Sequence, residues 1–385
     1  MSTKQLDLSQ LELFDHHCHG VVEQELSRQD FEELISESTY DPAKGTTRFD
    51  THIGFAIRNY CAPILGLPRF ATAEEYVEKR RELGAREVNK RLLRDSRMTT
   101  LGIETGHAPD RILGAKEMGC AAEAQVYEIV RLERVAEEVA MAHRRQALPV
   151  EILWDAITTM LEHKLRTAIG VKSIAAYRIG LDFNPEAPTD TELDHALCRW
   201  YESVSDDKHP RLVDSTIIRA LIWFAIKKSL PIQFHIGYGD NDVDLHRCNP
   251  LLLTDLLRKS VQYGATIMLL HCYPFHREAG YLADVFPHVY CDVGLAINYT
   301  GARSTAIIAE SIELAPFTKV LFSSDAFGLS ELYYTGARLF RCGLEKVLQT
   351  YIEKHGWPIA EAQRVAEMIG YRNAMRAYHL ENKEK

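Results

Sequence analysis

The chain has 385 residues, a formal net charge of −9 and a sequence pI near 6.0, and 46% of it is hydrophobic. The length is ample for a large core and normal for an α/β barrel carrying an insertion. The acidic balance argues against a nucleic-acid binder, which needs a net basic footprint. It is compatible with an enzyme acting on a small molecule.

Eight cysteines, at positions 18, 61, 120, 198, 248, 272, 291 and 342, form no Cys-x-x-Cys pair. Zinc ribbons and thioredoxin-like redox chemistry are therefore disfavoured. So dispersed a set in so large a chain implies reduced thiols and a cytoplasmic protein. Met1 to Asp7 lacks the apolar core of a signal peptide. The most apolar run, Ile217 to Ile226, contains Arg219 and is too short to cross a bilayer. No membrane or nucleic-acid partner is expected, and a homo-oligomer is left open.

In chain order, Leu11 to Phe14 is a short apolar strand leading into Asp15-His16-His17-Cys18-His19-Gly20. In a strand, residues two apart share a face, so His17 and His19 present two imidazoles side by side and Cys18 faces away. Residues 20–97 then lack strand character. Helices are predicted near Phe31–Ser36, Asp50–Tyr60, Thr72–Leu83 and Ala85–Arg94. The third opens with Thr72 and Glu75, the spacing of a capping box. This mainly helical insertion hangs from the end of the first strand, where a lid would sit.

Strands are predicted at Thr99–Thr105, Gln125–Arg131 and Val171–Ala176. Helices fall between and after them, at Ala115–Gly119, Leu132–His143, Val150–Ala168, Thr189–Val204 and Ser215–Ser229. From there the alternation is regular. Strands Leu230–Ile236, Ala265–Leu270, Val289–Val293 and Lys319–Ser323 are separated by helices at 249–263, 278–285 and 304–314. Helices at Arg338–Leu348 and Ile359–Tyr378 close the chain, and Glu381–Lys385 is expected to fray. Eight strand–helix units, several with unbroken apolar strands, imply a parallel sheet closed into a single (β/α)8 TIM-like barrel over residues 1–385. No Gly-x-Gly-x-x-Gly and no phosphate loop favours an open sheet instead.

The polar residues cluster where strands end: His17 and His19 at the first, His235 at the fifth, His271 at the sixth and Asp325 at the eighth. In such a barrel the C-terminal strand ends ring one cavity. A single histidine is more often a satisfied core imidazole. Five such positions together are better explained by a shell for Zn²⁺ or a similar divalent metal.

The order His-x-His, fifth-strand His, sixth-strand His and eighth-strand Asp resembles the amidohydrolase superfamily. More narrowly it resembles the amidohydrolase-related branch that includes domains fused to glutamine-synthetase-like proteins. The stretches that carry the likeness are Phe234-His235-Ile236-Gly237-Tyr238-Gly239-Asp240, Leu270-His271-Cys272-Tyr273-Pro274, Tyr290-Cys291-Asp292-Val293-Gly294 and Leu321-Phe322-Ser323-Ser324-Asp325-Ala326. The resemblance implies that His17, His19, His235 and Asp325 hold one metal, with His271 a catalytic group or a ligand of a second ion. A bound divalent metal lowers the pKa of its water toward ~7. Asp325 can take the proton of that water and pass it to the leaving group, while His271 supports the carbonyl oxygen.

Lys172, on the fourth strand, has three readings: a bridging carboxylated lysine as in two-metal relatives, a solvated lysine, or a partner of Arg178 in binding a substrate carboxylate. Asp240, on the loop after His235, is a candidate contact for a substrate amine. The first expectation is a metal-dependent hydrolase of an amide-type C–N bond, with a small carboxylate-bearing, γ-glutamyl-like substrate. Decarboxylation of a small acid is the rival, and a uronate-isomerase-like activity the third.

Overall fold

A computed structural model describes residues 5–205 and 210–381. Of the expected frayed tail, all but Glu381 lies outside the described residues. Seven parallel strands follow one another around the sheet: β1 (Leu13–Cys18), β2 (Met98–Glu104), β3 (Gln125–Arg131), β4 (Gly170–Ser173), β5 (Ile232–His235), β6 (Ile267–Leu270) and β7 (Val289–Cys291). Residues 320–326 fill the eighth position. Leu321 N donates to Cys291 O at 2.9 Å on one side. On the other, His16 N donates to Phe322 O at 3.2 Å, Asp325 N to His17 O at 3.1 Å and His19 N to Ala326 O at 2.9 Å. The expected eighth strand is therefore present as a path but not as a regular ladder. Ser324 N turns aside to the Asp15 carboxylate at 2.9 Å, and Asp325 takes a left-handed φ of 50°. Both interrupt the bonding pattern.

Apolar side chains line both sides of the strands. Leu13, Ile232, Phe234, Ile267 and Leu269 join the large core beneath the helices. Phe14, Ile129, Met268, Tyr290 and Leu321 fill the barrel interior and are closed from below by Met375, Tyr378 and Leu380. Layered filling of this kind makes the barrel a packed body, not a pore.

The insertion is helical, with segments Arg28–Leu34, His52–Ala56, Ala73–Leu83 and Ala85–Ser96. The Thr72–Glu75 capping box forms. A buried ion pair fastens the insertion to the barrel: Arg80 Nε lies 3.0 Å from Glu331 Oε1, which also accepts the Tyr76 hydroxyl at 2.9 Å. At its other side the insertion meets the loop after β5, where Thr39 N donates to Asn241 Oδ1 at 3.0 Å.

Several bounds differ from expectation. β4 stops at Ser173 and not at Ala176, because the Ser173 hydroxyl accepts Ala175 N at 3.2 Å and starts a helical turn over Ala175–Arg178. The helix expected at Arg338–Leu348 runs from Ser330 to His355. An unexpected helix, Gly294–Thr300, follows β7 and is almost wholly buried. No helix among the described residues is long and apolar enough to cross a membrane.

Candidate active site

The paired histidines on β1 sit at an irregularity. The β1–β2 register shifts between Asp15 and Cys18. Two consecutive side chains thereby reach the barrel interior: His16 meets Tyr378 and Asp292 in the floor, while His17 faces the cavity above. Cys18 points away, its thiol directed at Gly102 O.

Asp325 is the hub. Its Oδ1 lies 3.0 Å from His17 Nε2 and 3.6 Å from His19 Nε2, and its Oδ2 lies 3.4 Å from His271 Nε2. Ligand atoms of His17, His19 and Asp325 all fall within 4.8 Å of one another. The His271 ring stands 5.4 Å from that of His17 and 4.8 Å from that of His235. His235 thus joins the group through His271 and is not part of the tight trio.

Charge and protonation suit a cation. Burial pushes the His17, His235 and His271 imidazoles below their ordinary range, so they are neutral near pH 7. Burial alone would raise Asp325, but His271, His17 and His19 hold it well below the usual carboxylate range. Buried ring nitrogens at His17 Nδ1, His235 Nε2 and both positions of His271 have no hydrogen-bond partner. Orphaned buried polar atoms of this kind are costly unless something else binds them. His19 Nδ1 contacts Glu104 O at 3.1 Å, which leaves Nε2 for the cluster, as is usual for a metal-bound imidazole. The residues present fit a divalent ion.

The other candidates separate. Lys172 enters the cluster, with Nζ 2.9 Å from His17 Nε2. Arg178 does not: its Nη2 pairs with Glu137 at 3.2 Å, and its Nε and Nη1 are buried without partners. Asp240 stands on the loop after β5, with Oδ1 accepting Asp242 N at 2.8 Å. On the same loop Gly239 leaves room for Tyr177, whose hydroxyl a Cβ there would meet at 2.2 Å.

Three further groups have no role in the sequence reading. Glu104 ends β2 and is fully buried. Burial would raise its carboxyl, but Arg131, then His19 and Lys172, bring it down to about 2. It belongs with the polar strand ends and was legible by that rule. Asp292, just beyond β7, bonds His16 and the backbone of His271. Glu37 comes from the insertion and meets the Tyr299 hydroxyl, and burial beside Asp325 raises it to about 7. Nothing in the local sequence marks it.

The amidohydrolase family matches residues 133–380, and the chain belongs to that family. It is 32% identical over 248 residues to Protein fluG of Emericella nidulans, covering 60% of this chain. The match spans 28% of that longer protein. A solved structure from Lactobacillus casei, assigned as a metal-dependent hydrolase, is similar with a TM-score of 0.81 and 27% identity, over 99% of this chain and 100% of that one. The uronate isomerase of Bacillus halodurans shares the fold, with a TM-score of 0.61 and 12% identity over 97% of this chain and 94% of that one.

Proposed function

We propose that the protein hydrolyses an amide-type C–N bond in a small substrate that carries a carboxylate, with a γ-glutamyl-like compound as the substrate class. The observation that carries the reading is the convergence of His17, His19 and Asp325 beside the neutral, unpartnered ring of His271. His17, His19, His235 and Asp325 would hold one divalent ion, zinc by the nitrogen-rich donor set. When bound, that ion supplies Lewis-acid activation of water and of the scissile carbonyl.

The chain's own groups do the rest. Asp325 is ionised and at the centre of the trio, so it takes the proton of the attacking water and returns it to the leaving nitrogen. Neutral His271 donates a hydrogen bond to the carbonyl oxygen as negative charge develops there. Lys172, beside His17, provides positive charge for the substrate carboxylate, Arg178 on the turn after β4 offers the two guanidinium nitrogens that lack partners, and Asp240 meets an amine. The γ-glutamyl assignment rests on the resemblance to domains fused to glutamine-synthetase-like chains.

The test is elemental analysis of purified protein followed by a screen of γ-glutamyl amides and simple carboxylic acids. Release of amine or ammonia, dependent on the metal, supports the reading. Release of CO₂ from the acids, with no amine from any amide, would replace it with decarboxylation.

A further inference from the structure

His271 has an unusual support. A working imidazole is normally oriented through its second ring nitrogen, by a carboxylate or carbonyl. Here neither ring nitrogen has a hydrogen-bond partner, although the residue is fully buried. Its backbone φ is 70°, in the left-handed region that non-glycine residues seldom adopt, and Cys272 follows at 51°. Something must hold that backbone in place.

One carboxylate does so. Asp292 Oδ1 accepts three hydrogen bonds: His271 N at 3.0 Å, Gly294 N at 2.8 Å and the Ser323 hydroxyl at 2.9 Å. These donors come from the ends of three successive barrel positions. Its Oδ2 lies 3.0 Å from His16 Nε2. His16 is fixed in turn, with Nδ1 3.0 Å from the Tyr378 hydroxyl, which accepts the Gln233 amide at 2.6 Å. The Gln233 amide donates to the Tyr378 hydroxyl, which leaves that hydroxyl free to donate to His16 Nδ1 in the tautomer that an ionised Asp292 favours. His16 Nε2 then carries the hydrogen donated to Asp292. All four residues are buried.

We infer that Asp292 is the positioning residue for His271, fixing its catalytic ring through the main chain, with His16 and Tyr378 holding the carboxylate from the barrel floor. The consequence for rate rests on the role given to His271 above; the positional claim does not. Asp292 itself touches no reacting atom.

The test uses zinc-loaded, full-length protein with ¹⁵N-labelled histidine, and ring proton–nitrogen correlation spectra assigned with His271→Gln and His16→Gln. Asp292→Asn keeps an oxygen for the three donors but presents an NH₂ to His16. The expected result is an unchanged His271 signal and a His16 ring switched to its other tautomer. Asp292→Ala is expected to keep bound zinc while the His271 signal broadens or splits. A His271 signal in Asp292→Ala that matches the wild type overturns the inference. So does an Asp292→Asn protein whose His271 signal is disturbed, and this arm decides the matter if the alanine variant does not fold. Because the signals are read without substrate, an absence of amide hydrolysis counts against the proposed reaction and not against this assignment.

Discussion

Nζ of Lys172 lies 2.9 Å from Nε2 of His17, the same nitrogen that faces Asp325 Oδ1 at 3.0 Å. An ammonium so placed competes with a metal cation for one ligand. Burial already lowers the pKa of Lys172, which eases its retreat or neutralisation. Lys172→Met is therefore expected to bind a single zinc about tenfold more tightly, since a like charge at this range costs more than about 1.4 kcal/mol. It should also weaken binding of simple carboxylates. Chelator competition reads the first effect and inhibition titrations the second. Loss of metal from this variant would instead mark Lys172 as a bridge between two ions.

The trio and its neighbour should behave differently on truncation. His17→Ala and Asp325→Ala are expected to lower zinc affinity by more than about 100-fold, beyond what loss of an outer contact does. His271→Ala should retain one zinc and lose about 10²–10³ in rate, the range for one carbonyl-supporting donor. Zinc content by elemental analysis beside turnover separates the cases. Metal loss in His271→Ala would favour a two-metal site.

Metal-free protein should show a two-part response to acid. His17, His235 and His271 have folded pKa values depressed below 6.5, so their contribution is present above pH 6.5 and is lost as pH falls. Asp15 and Glu37 oppose this. Burial raises both to about 7, from 3.8 and 4.5, so between those limits the folded state holds their protons more tightly and gains stability as pH falls. Between pH 6.5 and 4.5 the two carboxyls offset only part of the imidazole loss, to which His107 and His288, lowered by burial to about 3 and about 4, also contribute. Below pH 3.8 the opposition ends, and the depressed carboxyls of Asp325, Asp292 and Glu104 add to the loss. Urea unfolding across pH should give a shallow slope and then a steep one. Asp15→Asn should steepen the first part by about one proton, roughly 1.4 kcal/mol per pH unit.

Arg80 and Glu331 form a pair almost closed to solvent, with Tyr76 completing it. Removing one partner of such a pair leaves a buried charge and costs about 3–5 kcal/mol. Arg80→Ala should lose that much by urea unfolding. Replacing both charges, as in Arg80→Met with Glu331→Leu, should recover most of it. Equal loss in the double variant would show that the apolar packing of Arg80 over the Phe31 ring, at 5.0 Å, matters more than its charge.

The barrel was legible because its strands are short apolar runs ending in polar residues. His17, His19, His235, His271 and Asp325 all stand at such ends, and all five are gathered by the fold. What stayed hidden depends on contacts between distant segments. The shift that turns both His16 and His17 inward is set by the neighbouring strand. The break in the eighth strand is set by Asp15, more than three hundred residues away in sequence from Ser324. In the sequence, Lys172 and Arg178 read as neighbours across a strand expected to reach Ala176. The Ser173 hydroxyl ends that strand early and sends the two side chains to different neighbours. Glu37 has no periodic or motif signature, and its proximity to Asp325 exists only once the insertion has folded over the barrel.

The insertion is fastened unequally. On one side stands the buried pair of Arg80 and Glu331; on the other, Thr39 reaches Asn241 through exposed hydrogen bonds worth about 0.5–1.5 kcal/mol each. Parting the Thr39–Asn241 edge forfeits only those hydrogen bonds, whereas parting the Arg80–Glu331 edge strands a buried charge at a cost of about 3–5 kcal/mol. Glu37 stands two residues from Thr39, so the acidic group that the insertion brings beside Asp325 rides on the less costly edge.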